Sequence, residues 1–275
     1  RTGNAGGVLI GYGDNEMLVA SDIPAILGYT NTISHLLPGE LAVLHPNSVQ
    51  FKDQDGNPIK KEKTFVPNDP ISIAKGDYRH FMLKEICEQP DAIIASLMGR
   101  LSSEEGLFSL EDLNLTADDI NKISKVTLTG MGTSLHAAML ARLWMERIAG
   151  IPSEWDNSSE FRYREPLLDE NSLFISISQS GETADTLAAM EEAKKKNISQ
   201  ITLCNYSNTQ ASRIADQTLQ IRAGLEIGVA ATKTFTCSLV TLYALAIYLG
   251  VQREKINGKE AAKLIEELFR LPEMI

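Results

Sequence analysis

The sequence predicts an α/β protein: a five-stranded, doubly wound parallel sheet preceded by an incomplete antiparallel β segment. Three observations carry this. From residue 125 onward short apolar runs alternate with helical stretches, and strand–helix alternation with helical crossovers makes parallel sheets. Before residue 66 the β-prone runs are joined by turns too brief for a crossover, which leaves only antiparallel pairing. The composition, 43% hydrophobic and 23% charged over 275 residues, is that of a globular chain long enough to bury a core.

The β-prone runs of the first part are residues 7–12, 17–21, 32–36, 40–45 and 48–52. They are separated by Gly13-Asp14-Asn15, Pro38-Gly39 and His45-Pro46-Asn47, with Asp55-Gly56-Asn57 after the last, all turn-forming combinations. The sequence opens at Arg1, without Met, inside what reads as a strand. These strands are therefore expected to belong to a larger sheet and, alone, to carry an unpaired edge and an uncovered face. Pro67, Asn68, Asp69 and Pro70 mark a break, and Lys75-Gly76-Asp77 begins something new. Residues 78–98 read as helical on either side of Pro90, a stop or kink. Residues 101–115 form a polar, acidic connector, and Thr116-Ala117-Asp118-Asp119 has the hydroxyl and early acids of a helix start. Parallel strands are expected at 126–129, 154–157, 173–177, 200–204 and 218–221, the third apolar enough to be central. Helices are expected from the end of the 130–134 turn to about 148, over 184–196 and over roughly 232–249. The apolar run 237–249 is too short to span a bilayer and reads as a buried helix.

The formal charge of −10 argues against nucleic-acid or anionic-membrane partners, because both need clustered positive charge. A phosphorylated ligand would have to be held by backbone N–H groups and hydroxyls. Cys87, Cys204 and Cys237 lie far apart with no C-x-x-C; they make neither a disulfide framework nor a zinc site and fit a reducing, cytoplasmic setting. No metal or cofactor is called for.

In doubly wound sheets, ligands sit at the carboxyl ends of the strands. The richest stretch there is Ser176-Ile177-Ser178-Gln179-Ser180-Gly181-Glu182-Thr183, with four hydroxyls and an amide between an apolar strand and a helix. Such a turn offers a dianion several N–H groups and a helix N-terminus without any Lys, although single Ser residues cap helices everywhere. Gly130-Met131-Gly132-Thr133-Ser134 ends the first strand of the same sheet. It matches only the start of G-x-G-x-x-G, since the third position is Leu135. A small phosphorylated polyol suits it better than a dinucleotide. His136 follows as a capping or packing residue. The third candidate is residues 224–233, where Glu226 and Lys233 are either acid–base groups or a helix-start carboxylate and a solvated charge.

These motifs resemble the glutamine–fructose-6-phosphate amidotransferase (glucosamine-6-phosphate synthase) family. That family carries a G-T-S turn, an S-Q-S-G-E-T-A-D-T turn and an E-I-G-V-A-x-T-K loop, which stand here at residues 132–134, 178–186 and 226–233. Residues 78–86, 159–164 and Ala20-Ser21-Asp22 are also similar, so the matches run in order over most of the chain. The resemblance implies that Ser134, Ser178, Gln179, Ser180 and Thr183 hold the phosphate of fructose 6-phosphate, with Thr133 and the backbone around Val229 at the sugar. Met131 stands where the family often has Cys. Ala231 stands where it often has Ser, removing a hydroxyl from that part of the substrate-binding loop.

The domains so implied are the C-terminal part of a glutaminase domain (1–66), linker and helices (67–115), the first sugar-isomerase (SIS) phosphosugar-binding subdomain (116–250) and a helical connector (251–275) to a second such subdomain. The family's nucleophilic Cys and its Schiff-base Lys, Glu and His fall outside these residues, so no catalytic residue is assigned and the segment alone is expected to bind without turnover. The implied partners are fructose 6-phosphate or glucosamine 6-phosphate, glutamine through the rest of the glutaminase part, and a second copy in a homodimer. Two alternatives remain: a non-catalytic phosphosugar-sensing module, and a stand-alone phosphosugar isomerase or deaminase.

Overall fold

A computed structural model describes residues 7–21, 23, 25–66, 75–100, 110 and 113–275. The break read at 67–70, Asp22 and most of the 101–115 connector lie outside these residues. The chain divides into two compact units, residues 1–77 with 182–184, and residues 78–181 with 185–275.

The first unit holds β1 (Leu9–Tyr12), β2 (Met17–Ala20), β3 (Thr32–His35), β4 (Leu41–His45), β5 (Ser48–Lys52), β6 (Pro58–Ile59) and β7 (Thr64–Phe65). They form two antiparallel sheets, β2-β1-β3-β7 and β4-β5-β6, where five strands of one sheet were expected. The two extra strands have two residues each, too short to show an alternating pattern. β4 and β5 meet at the His45↔Ser48 pair, so Pro46 and Asn47 make the tight loop that two-residue hairpins require. Ile10, Leu36 and Phe51 are buried together, joined by Val8, Ala42, Leu44, Val49 and Ile59. Val19, Leu41 and Phe65 remain exposed.

The second unit begins with α1 (Phe81–Cys87) and α2 (Gln89–Leu97). Pro90 sits in the first turn of α2, where its missing N–H costs nothing, so it starts a helix rather than ending one. α3 (Ala117–Lys122) opens on a full capping box: the Asp119 amide donates to Thr116 Oγ1 at 3.2 Å and the Thr116 amide to the Asp119 carboxylate at 3.1 Å. Then come β8 (Lys125–Gly130), α4 (Thr133–Trp144), a π-helical turn over Met145–Ala149, β9 (Ser153–Asn157), α5 (Ser158–Phe161), β10 (Ser172–Ile177), α6 (Ala184–Lys195), β11 (Ser199–Cys204), α7 (Gln210–Ile214), β12 (Gln217–Gln220), α8 (Lys233–Gln252) and α9 (Gly258–Met274).

The five strands are all parallel, in the order β12-β11-β10-β8-β9. β10 is central, and its six residues are all buried. Its side chains alternate between two cores. Leu173, Ile175 and Ile177 join the larger one with α2, α4, α8 and α9 residues; Phe174 faces the other with Phe161, Leu187 and Met190. A strand covered on both faces reads as a continuous apolar run, which is how it stood out in the sequence.

Helix α8 is longer than the apolar run that marked it. An 18-residue stretch of it has a mean hydropathy of 1.7 and the helix is, by length and composition, enough to cross a membrane, yet 67% of that stretch is buried inside the unit. It packs against α2 and α4, and Tyr243 meets Trp144 edge to face at 5.1 Å between ring centres.

Candidate functional site

The chain runs from β8 outward to β9, then returns to the other side of β8 to lay down β10, β11 and β12. The order therefore reverses between β8 and β10, and the crevice at their carboxyl ends is where such sheets take ligands. Gly130 and Ile177, the last residues of the two strands, stand directly opposite each other. The turns at 130–134 and 178–183 thus leave the sheet side by side.

The first turn is shaped by glycine. Gly132 has φ 55° and ψ −128°, a region open essentially to glycine alone. A side chain on Gly130 would stand 2.8 Å from the Ser134 backbone. The Ser134 and Leu135 amides turn back to the carbonyls of Met131 and Gly132, both at 3.1 Å, which starts α4. Thr133 and Ser134 are half-buried at this helix start, and His136 is exposed beside them; a packing role for that histidine is not seen.

Backbone bonds to the neighbouring strand end and the residues after it hold the second turn. The Ser178 amide donates to the Leu203 carbonyl (2.9 Å), and the Gln179 carbonyl accepts from the Asn205 amide (3.0 Å). The buried Ser178 hydroxyl accepts the Gly181 amide at 3.1 Å. Gly181 has φ +66°, and a Cβ there would lie 2.4 Å from Thr209 Oγ1. Gln179, Ser180 and Thr183 are half-buried, with Thr183 immediately before α6. Ser176 belongs elsewhere: it is fully buried and donates to Thr202 Oγ1 at 2.8 Å, serving the sheet rather than the crevice.

The 224–233 loop departs from both acid–base and solvated-charge readings of its ionisable residues. Glu226 is buried and accepts the amides of Thr232 (2.9 Å) and Thr234 (3.3 Å), as well as the Thr234 hydroxyl. It is the helix-start carboxylate. Lys233 is also buried, its ammonium 2.7 Å from Glu88. Between them Ala231 is half-buried and Val229 is fully exposed. Burial pushes the thiol of Cys237, on the first turns of α8, up to about 12; Lys233 pulls it down, Glu226 reinforces the rise and Arg100 opposes it.

A set of hydroxyls escaped the sequence reading. Thr129 Oγ1 contacts Ser158 Oγ at 2.8 Å and the Asp156 carbonyl at 3.0 Å, and Thr186 Oγ1 reaches Ser158 Oγ at 3.3 Å. All three residues are buried, tying the ends of β8 and β9 to α5 and α6. Cations near the strand ends are engaged as well: Arg162 pairs with Asp185 at 2.8 Å, and Arg164 pairs with Asp156. Among the described residues no group of three or more His, Cys, Asp or Glu is placed to hold a metal.

Comparison with known proteins places this geometry. The SIS-domain family profile matches residues 119–248, the span that contains the sheet and both strand-end turns. This stretch is a SIS domain. Over 97% of its length the chain is 44% identical to a protein of Symbiobacterium thermophilum named glutamine–fructose-6-phosphate aminotransferase (isomerizing). Over 98% it is 41% identical to the protein of that name from Caldanaerobacter subterraneus subsp. tengcongensis. The chain spans 44% of the length of each of these relatives. The C-terminal domain of glucosamine-fructose-6-phosphate aminotransferase from Francisella tularensis has a TM-score of 0.69 at 37% identity, over 73% of this chain and 56% of that one. The family resemblance read from the motifs is borne out, and with it the parallel SIS sheet.

Proposed function

We propose that this chain is part of an enzyme that makes glucosamine 6-phosphate and glutamate from fructose 6-phosphate and glutamine, and that its SIS domain binds the sugar phosphate. The observation that carries this reading is the match at about two residues in five along nearly the whole chain to proteins named for that reaction. It favours the amidotransferase over a sensing module or a stand-alone isomerase or deaminase, since the matched length includes the β-rich unit that neither alternative needs.

In this reading Ser134, Ser178, Gln179, Ser180 and Thr183 surround the phosphate, and Thr133 and the backbone at Val229 meet the sugar. Neutral donors suffice because two helix starts, α4 and α6, converge on the crevice between β8 and β10, and their aligned amides favour an anion. Residues 1–66 are the end of a glutaminase domain, 67–115 linker and helices, 116–250 the first SIS subdomain and 251–275 a connector to a second. The protein works as a cytoplasmic homodimer, and glutamine is handled by the glutaminase part.

The test is calorimetry with fructose 6-phosphate on the chain and on the Ser180→Ala, Thr183→Ala double variant. Each hydroxyl bonded to a charged phosphate contributes about 1.5–3 kcal/mol. The double variant should therefore lose affinity by two orders of magnitude or more. Unchanged affinity sinks the site assignment.

A further inference from the structure

We propose that Glu85 is a positioning residue for sugar binding: from α1 it clamps the 224–232 loop so that the backbone at Val229 is held ready for the ligand. The inference rests on the phosphosugar reading and adds to it a residue from outside the strand-end turns. Glu85 is 2% exposed. Its Oε1 accepts the amides of Ile227 at 2.6 Å and Gly228 at 3.1 Å, and Oε2 lies 3.2 Å from the Gly228 amide. Charge-assisted bonds of this kind are among the stronger ones a protein makes, and a buried carboxylate stripped of them is costly. Loop and carboxylate therefore hold each other, across a sequence separation of 142 residues. Gly228 makes the approach possible, since a Cβ there would stand 2.5 Å from Glu85 Oε2.

Two further anchors fix the other side of the loop. Glu226 turns inward to the amides of Thr232 and Thr234, and Lys233 reaches Glu88 at the end of α1. Ile227 and Gly228 are thus pinned on one side of Val229, and Thr232 to Thr234 on the other. Val229 itself remains fully exposed. The carboxylates are spent on the loop's own amides, so Glu85 acts through the loop conformation and not by touching the ligand.

Calorimetry on the full chain with two probes, fructose 6-phosphate and inorganic phosphate, tests this. For Glu85→Ala the sugar phosphate should weaken by about tenfold or more, while inorganic phosphate, which needs only the strand-end turns, changes by less than about twofold. Glu85→Gln keeps an acceptor oxygen but loses the charge and should fall between wild type and Glu85→Ala. Gly228→Ala pushes the carboxylate away from the loop side and should repeat the selective loss, which keeps the test intact if Glu85→Ala does not fold. Hydrogen exchange at the amides of 227 and 228 should quicken in all three variants. The proposal is overturned if the sugar phosphate still binds normally to a chain whose loop amides exchange faster, or if both probes weaken in parallel. Wild-type chain that binds phosphate but not the sugar ester overturns it too. Wild-type chain that binds neither removes the phosphosugar reading and the clamp with it.

Discussion

The 178–183 turn and the 224–232 loop leave the same sheet at its carboxyl edge, yet they are held by opposite means. In the first, main-chain bonds to Leu203 and Asn205 and a left-handed Gly181 set the path, and the Ser178 hydroxyl accepts the Gly181 amide. In the second, two buried carboxylates, Glu85 and Glu226, gather four amides between them. The path of the first turn is set by main-chain bonds to its neighbours and by one glycine. A loop shaped by borrowed charge depends on a residue far away in sequence, Glu85, and its own carboxylate, Glu226, is used up in holding it.

The largest expected effect comes from breaking the backbone-shaped turn. Gly181→Ala combines a left-handed φ with a Cβ 2.4 Å from Thr209 Oγ1, so it should cost about 2–5 kcal/mol, the sum of the strain and overpacking terms, read as a shift in the urea midpoint. Next is the charge-held loop. Glu226→Ala leaves the Thr232 and Thr234 amides without their acceptor but relieves the desolvation of a buried carboxylate, so the net cost should be about 1.5–3 kcal/mol in the same measurement. An equal or larger loss for Glu226→Ala than for Gly181→Ala would reverse the ranking that the contrast predicts.

Ser176→Ala sharpens the comparison from within the motif. It removes one neutral buried bond to Thr202 Oγ1 and should lower stability by about 0.5–1.5 kcal/mol while leaving fructose 6-phosphate affinity as it was. A lost affinity would move Ser176 into the crevice. The last effect is absent at neutral pH and confined to alkaline pH. Burial lifts the Cys237 thiol from 9.0 to about 12, so the folded chain keeps a proton that the unfolded chain gives up. Its contribution to stability is complete below pH 9 and is lost as pH climbs from 9 toward 12. At pH 8, exposed Cys87 should react with a thiol reagent while Cys237 stays silent; fast modification of Cys237 would show that the start of α8 opens readily.

Much of the fold was legible because its signals are local. β10 announced itself as a mainly apolar run, 173–177, and Thr116 with Asp119 spelled a helix start that the structure completes as a capping box. The strand-end turns were legible for the same reason. β6 and β7 were not, since two residues carry no period, and α5 and α7 are single turns. Glu85 was passed over, and Lys233 was read as an acid–base group or a solvated charge, for a different reason. Charged residues read as surface until a partner is known, and here the partners lie about 140 residues away. A hint existed in Glu85 and Glu88, three apart in one short helical stretch and so neighbours on one of its faces.

Helix α8 has a consequence for handling the protein. Its apolar length is tolerable only while the surrounding helices and sheet cover it. Once heat or denaturant strips that cover, a mainly apolar stretch of 18 residues is offered to every neighbouring molecule at the same moment. Loss of native structure in this unit should therefore end in precipitate, with a scan-rate-dependent apparent midpoint and no recovery on cooling.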